Sequence, residues 1–258
     1  MNVGQPAASL GDPSLEGSGV AGGVGMEDED DDSGHVGSLA SGSPALTKRP
    51  RRRVRAYIGL GSNLGDPEAT IAAGVRALAA LPGARLTGVS RLYATDPVGV
   101  VDQPEFRNAA VRLEVPAGPD PETGALALLV ALKSIERAFG RRERERWGPR
   151  ELDLDLLIFG KARVAVERPA EARSDDPSKP TDLVVPHRLA GERLFVVAPL
   201  ADLAPGLVPP GWHETVATAR RRRERVEGET MARPIARWSA AAGWEPLGEP
   251  AGVSRDDA

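Results

Sequence analysis

The sequence predicts an α+β fold, and three observations predict it. Residues 1 to about 50 carry no hydrophobic period, but from Val54 onward, stretches that alternate apolar and polar residues interleave with stretches whose apolar residues recur at helical spacing. Turn residues separate them, Gly61-Ser62-Asn63, Pro82-Gly83 and Gly140 among them. The stretches come in the order strand, helix, strand, strand, helix, strand. That order is the split βαβ or ferredoxin-like arrangement, an antiparallel sheet with both helices packed on one face.

Each element has a local cause. Val54, Ala56, Ile58 and Leu60 alternate as a first strand that runs into the Gly61-Ser62-Asn63 turn. Asp66 is placed to cap a helix and Pro67 suits its first position, after which Ile71, Val75, Leu78 and Leu81 fall on one face. A second strand is expected over residues 86–93 and a third over 107–115, joined by a long loop, 94–106. Pro121 opens a second helix with the apolar stripe Leu128, Leu132, Ile135 and Phe139. The fourth strand covers residues 152–159. Strict alternation puts Leu154, Leu156 and Ile158 on one side of it and Asp153 and Asp155 on the other. Beyond Gly160 the pattern weakens: a hairpin strand over 163–167, a solvated loop over 168–181, and a short helix over 193–203 limited by Pro199. Residues 1–53 are expected to be a disordered tail, 54–212 the folded domain, and 213–258 a partly disordered extension with only scattered apolar anchors such as Trp238 and Trp244.

Composition narrows the function classes. The 258 residues are 41% hydrophobic, enough for one good-sized core. The absence of cysteine excludes disulfide scaffolds and thiol catalysis, and three scattered histidines argue against a histidine-built zinc site. A formal net charge of -4 names no partner, because an acidic run (27–32) precedes a basic one (48–55) and residues 220–225 are basic again. No apolar run approaches the roughly 20 residues of a membrane span. A cytoplasmic protein with no membrane partner is the expectation.

Chemistry concentrates between Arg146 and Gly160. Asp153 and Asp155 lie about 6.6 Å apart along one strand face, close enough to grip one metal ion or a pair. A solvated acidic face on an edge strand explains the same spacing. Just upstream, Arg146 and Arg150 flank Trp147-Gly148-Pro149, and residues 142–145 alternate arginine and glutamate after Arg141. Gly61-Ser62-Asn63-Leu64-Gly65 lacks the Lys-Ser/Thr ending of a phosphate loop and reads as a structural turn. Asn108 at a strand mouth near Phe106 suits recognition of a flat heterocycle; a plain polar turn explains the same residues.

Taken together, Arg146-Trp147-Gly148-Pro149-Arg150 followed by Asp153-Leu154-Asp155 closely resembles the signature of the hydroxymethyl-dihydropterin pyrophosphokinase family. The resemblance spans about residues 54–210, taking in Tyr57 to Gly65, Thr95 to Gly99, Asp102 to Asn108, Pro186-His187, and Arg193 with Phe195. It implies transfer of a pyrophosphoryl group from ATP to the hydroxymethyl group of 6-hydroxymethyl-7,8-dihydropterin in folate synthesis, by a monomer with two Mg2+ ions. By position, Asp153 and Asp155 resemble the metal ligands. Thr95, Val98, Phe106, Asn108, Trp147 and Phe195 resemble the pterin pocket, and Glu136, Arg150, Leu156, His187 and Arg193 the ATP site. Arg141 and Arg150 match loop arginines that assist transfer. The chain departs from the family at Glu143, where members commonly carry arginine, at Phe106, a tyrosine in some, and at Asp182, an arginine in some. The competing reading is an RNA-binding module of the same fold. It expects basic, aromatic-bearing central strands, and the acid pair would repel phosphates unless a metal intervened. A fused second folate activity meets terminal regions too short and too polar for another catalytic domain.

Overall fold

The computed structural model describes residues 52–97, 102–140, 149–173 and 180–248. The chain divides into two units, Met1–Thr47, which lies outside the described residues, and Lys48–Ala258. The expectations for the tail, the 141–148 loop, and Val98, Arg141 and Trp147 fall outside the described residues.

The expected order is present. Strand β1 (Arg53–Ser62) leads to helix α1 (Pro67–Ala79), then β2 (Arg85–Val89), β3 (Leu92–Thr95), β4 (Phe106–Pro116), helix α2 (Pro121–Ala138) and β5 (Asp153–Phe159). Both helix starts are built as their sequences imply: Asp66 accepts a hydrogen bond from the Ala69 amide at 3.0 Å, and Asp120 from the Thr123 amide at 2.8 Å. The Thr123 amide, and after it the Thr123 hydroxyl, hold the Asp120 carboxyl below its usual pKa. All sheet pairings are antiparallel, with β1 between β4 and β5, and β2 and β3 both on the far side of β4. Ile58, Leu60, Val111, Leu113, Leu154 and Leu156 on one sheet face form the main core with Ile71, Val75 and Leu78 of α1 and Leu128, Leu129 and Leu132 of α2. Both helices therefore cover one face, as the ferredoxin-like reading expects.

The structure differs from strict periodicity in three places. The second strand is broken at Ser90, whose amide donates to the Ala110 carbonyl at 2.9 Å while its hydroxyl oxygen accepts from the Ala110 amide at 2.8 Å. A side chain there replaces a backbone acceptor, so β2 and β3 are separate strands. In β5 the register with β1 shifts between Tyr57 and Ile58, skipping Leu157. Ile158 is carried to the face of Asp155, packing with Tyr57 and Leu157, and Phe159 returns to the main core in its place. The strand β6 (Val164–Glu167) pairs with β7 (Asp182–Val185) across the 168–181 segment, rather than with β5.

The second sheet face is partly covered by α3 (Leu194–Leu203), which runs through Pro199 rather than ending at it, and by α4 (Val216–Glu227). Leu194, Val197 and Ala198 of α3 and Ala219 of α4 pack on Tyr93. After α4, β8 (Ala232–Ser239) pairs with β3, and β9 (Gly243–Pro246) pairs with β8. The residues read from sequence as an extension beyond 212 thus supply a helix and two strands of the main sheet. Helix α4 escapes a periodicity search because only Val216 and Ala219 are buried. It is held instead by the Thr215 cap and by Arg220–Glu224 and Arg223–Glu227 ion pairs one turn apart, each at 2.6 Å.

Candidate active site

On the face opposite α1 and α2, the strand register sets out rows of neighbours. Asn108, Gly61 and Asp153 lie side by side on β4, β1 and β5, and Ala110, Gly59 and Asp155 form the next row. The two glycines form the floor. A Cβ at Gly61 would stand 3.1 Å from Asn108 Oδ1, and one at Gly59 would meet Leu157 at 3.5 Å, so any side chain here would fill the space between amide and carboxylates. Phe195, Val196 and Pro199 of α3 close the groove from above. Thr95 and Phe106 pair with each other in the adjoining row, and Asn108 Nδ2 donates to Thr95 Oγ1 at 2.7 Å. That bond fixes the amide's orientation and leaves Oδ1 on the groove side.

A second hollow opens on the other flank of β5, lined by Lys133 of α2, Asp155, Leu156, Asp182 and the His187-Arg188 pair. Asp155 lines both hollows. The backbone holding it is fixed from outside the sheet, where β5 is an edge strand. Glu136, only 1% exposed, accepts from the Leu154 amide at 2.6 Å and from Lys133 Nζ at 2.8 Å, and Lys133 also donates to the Leu154 carbonyl at 3.3 Å. The His187 amide donates to the Leu157 carbonyl at 2.9 Å. Edge groups that would otherwise seek a partner strand are thus satisfied by side chains and a loop.

At the start of β5, Arg150 forms an ion pair with the Asp153 carboxylate. Asn63 holds this entry: its Oδ1 accepts from the Arg150 amide at 2.8 Å, and its own amide donates to the Arg150 carbonyl at 3.1 Å. Its Nδ2 also donates to Gln103 Oε1 at 3.0 Å and to the Pro104 carbonyl at 3.1 Å. One buried amide therefore ties the approach to the carboxylates to the lip of the Asn108 groove. Sequence reasoning treats the Asn63 turn as structural and has no signal for this double grip, because its partners lie 40 and 87 residues away.

Of the residues singled out from sequence, Asn108, Asp153, Asp155 and Phe195 line the groove, with Thr95 hydrogen-bonded to Asn108 and Phe106 one row beyond. Asp155, Leu156 and His187 line the second hollow. Glu136 sits behind β5 rather than among the lining residues, and the Arg193 guanidinium lies over the Phe195 ring, 5.6 Å from its centroid. Lys133, which sequence reasoning passes over, lines the second hollow.

Among the described residues, no group of three or more His, Cys, Asp or Glu side chains gathers as a metal cage. Two carboxylates on a side-chain-free floor suit a hard cation that takes one or two carboxylates and completes its shell with water and phosphate oxygens, as Mg2+ does. Also among the described residues, no helix is long and apolar enough to cross a membrane.

Fold and site together define a ferredoxin-like α+β protein whose carboxylate-bearing strand stands between a glycine-floored groove and a second hollow. The 7,8-dihydro-6-hydroxymethylpterin-pyrophosphokinase (HPPK) family matches residues 57–205, and the chain belongs to that family. A 2-amino-4-hydroxy-6-hydroxymethyldihydropteridine pyrophosphokinase of Methylorubrum extorquens is 44% identical over 165 residues, 64% of this chain and 90% of that protein. The Bacillus subtilis protein of the same name is 39% identical over 148 residues, 57% of this chain and 77% of its own. A crystal structure of Plasmodium falciparum HPPK-DHPS with pteroate shares the fold at a TM-score of 0.57 and 15% identity, covering 78% of this chain. The chain spans about half of that solved structure, 49% of its length.

Proposed function

We propose that this chain transfers a pyrophosphoryl group from ATP to the hydroxymethyl oxygen of 6-hydroxymethyl-7,8-dihydropterin, releasing AMP, a step of folate synthesis. The observation that carries the reading is the position of Asp155, which lines both hollows and so stands between two ligand sites. The glycine-floored groove takes the pterin. Asn108 Oδ1 offers an acceptor to the ring edge, Thr95 holds that amide in place, and Phe106, Phe195, Trp147 and Val98 supply apolar and stacking surface. The hollow beside His187 and Leu156 takes the nucleotide. Lys133 offers a cation there, and Glu136 secures both Lys133 and the strand that bears the carboxylates.

The hydroxymethyl oxygen attacks the β-phosphorus of ATP. An O–P bond forms, the bond from that phosphorus to the oxygen it shares with the α-phosphate breaks, AMP leaves with the electron pair, and the hydroxyl proton is released. This chemistry needs alignment and neutralised charge rather than a nucleophilic side chain. Asp153 and Asp155 would hold two Mg2+ ions, which when bound supply neutralisation of the triphosphate and support for the leaving oxygen. Arg150, already beside Asp153, brings a cation to the same place, and Arg141 and Arg193 add positive charge around the polyphosphate. Asn63 sets the backbone from which Arg150 extends. We further propose that residues 54–212 hold all the catalytic residues and that the chain works as a cytoplasmic monomer on small molecules, with no nucleic-acid partner.

The test is AMP release from ATP and Mg2+ with and without the pterin alcohol. Release that depends on both pterin and Mg2+ is expected. ATP hydrolysis indifferent to the pterin, or no turnover, would overturn the proposal.

A further inference from the structure

Residues 216–246 lie beyond the family match at 57–205, yet they touch both walls of the groove proposed for the pterin. At one wall, β3 is four residues long and would be an edge strand but for β8, which pairs Ala232 with Thr95 and Arg233 with Ala94. Arg233 reaches on to form an ion pair with Glu105, one residue before Phe106. Glu105 is shared: its other oxygen accepts from Arg107 at 3.0 Å, and Arg107 in turn pairs with Glu68 of α1 at 3.2 Å. The segment that carries Gln103, Pro104 and Phe106 is therefore gripped by Asn63 from within and by Arg233 from the appended strand. At the other wall, α3 has no side-chain cap of its own, and Glu227 of α4 accepts from the Leu194 amide at 3.2 Å instead. Phe195 is the next residue of that first turn.

We propose that the C-terminal segment is a positioning element for the pterin groove, setting the Thr95 and Phe106 lip through Arg233 and the Phe195 wall through Glu227. This rests on the pterin reading of the groove. Arg233 and Glu105 are 52% and 38% exposed in their side chains, and ion pairs that open to solvent contribute little to global stability. Losing this one therefore loosens the lip without unfolding the chain, which separates positioning from a merely structural role.

Arg233→Ala in the full chain is the test. The pterin KM should rise about fivefold while kcat and the ATP KM stay within about twofold, the melting temperature barely moves, and amide hydrogen exchange across residues 103–107 quickens. Arg233→Lys should restore much of the pterin KM, and Glu227→Ala should raise that same KM from the α3 side. Unchanged exchange across residues 103–107, or a parallel rise of both KM values with a fall in melting temperature, would overturn the inference. A parent chain without pterin-dependent AMP release would sink the functional reading instead, and the exchange measurement would still decide whether Arg233 positions the lip.

Discussion

The two ends of the main sheet solve the same problem in opposite ways. At one end, β5 leaves its outer edge to two side chains and a loop: buried Glu136 and half-buried Lys133 take the Leu154 backbone groups, and the His187 amide takes the Leu157 carbonyl. At the other end, β3 is extended by more strand, β8 and then β9, joined by ion pairs open to solvent and by an edge-to-face contact between Trp238 and Trp244, 4.9 Å apart at 73°. The first solution is rigid because buried Glu136 holds the Leu154 amide and Lys133 together, and Lys133 holds the Leu154 carbonyl. The second is adjustable because exposed pairs cost little to make or break. The carboxylates sit on the rigid end, where a small displacement would be most harmful to the proposed in-line transfer, and the adjustable end borders the Thr95 and Phe106 lip of the groove.

The largest effect should come from the rigid end. Asp155→Asn, and separately Asp153→Asn, should lower turnover about 100-fold or more while pterin binding and folding survive, measured by AMP release and equilibrium binding. Near-normal turnover in both would remove the metal assignment and return the pair to a solvated strand face. Next, Glu136→Ala leaves the Leu154 amide without its buried acceptor and Lys133 with the Leu154 carbonyl in place of a carboxylate, and should destabilise the fold by about 2–4 kcal/mol in chemical denaturation. A change below about 0.5 kcal/mol would show that β5 is not held from this side.

At the adjustable end, Trp238→Ala removes half of the indole pair and should cost about 1–2 kcal/mol, raising the pterin KM with kcat kept. A collapse of kcat would mean that the two ends are more tightly coupled than their contacts indicate. The smallest effect at neutral pH concerns Tyr93, where the appended helix meets the sheet. Its hydroxyl lies 3.0 Å from both Asp202 oxygens, Arg91 pairs with Asp202 at 2.7 Å, and Arg220 of α4 stands 3.7 Å from it. Burial, and after it the charge of Asp202, push the phenol up to about 12. The folded chain then holds a proton that the unfolded chain releases near pH 10, so this contribution is complete below about pH 10 and lost as pH rises toward 12. Alkaline unfolding should accordingly shift to higher pH in Tyr93→Phe. An unchanged profile would show that Tyr93 ionises as freely in the fold as outside it.

The sequence by itself determined the ferredoxin-like order, the Asp66 cap, the Pro121 helix start and the Asp153, Asp155 pair, because these are written in short-range terms: a period of two or of 3.6, a capping aspartate, two acids two residues apart. It also carried the resemblance that ties Asn108, His187 and Phe195 to one chemistry, through motifs spaced along the chain. The tertiary structure decided the rest, since each remaining feature depends on a partner far away in sequence. The bulge that turns Ile158 away from Leu156 is set by pairing with Tyr57. Glu136 became a support for β5 only when α2 was laid along that strand's free edge. Helix α4 and strands β8 and β9, too charged or too short to declare themselves, gain their order from Tyr93, Leu194 and the unpaired edge of β3. Periodicity reports which face a segment buries; it carries no record of which distant group will satisfy an amide or a carboxylate, and in this chain those satisfactions shape the site.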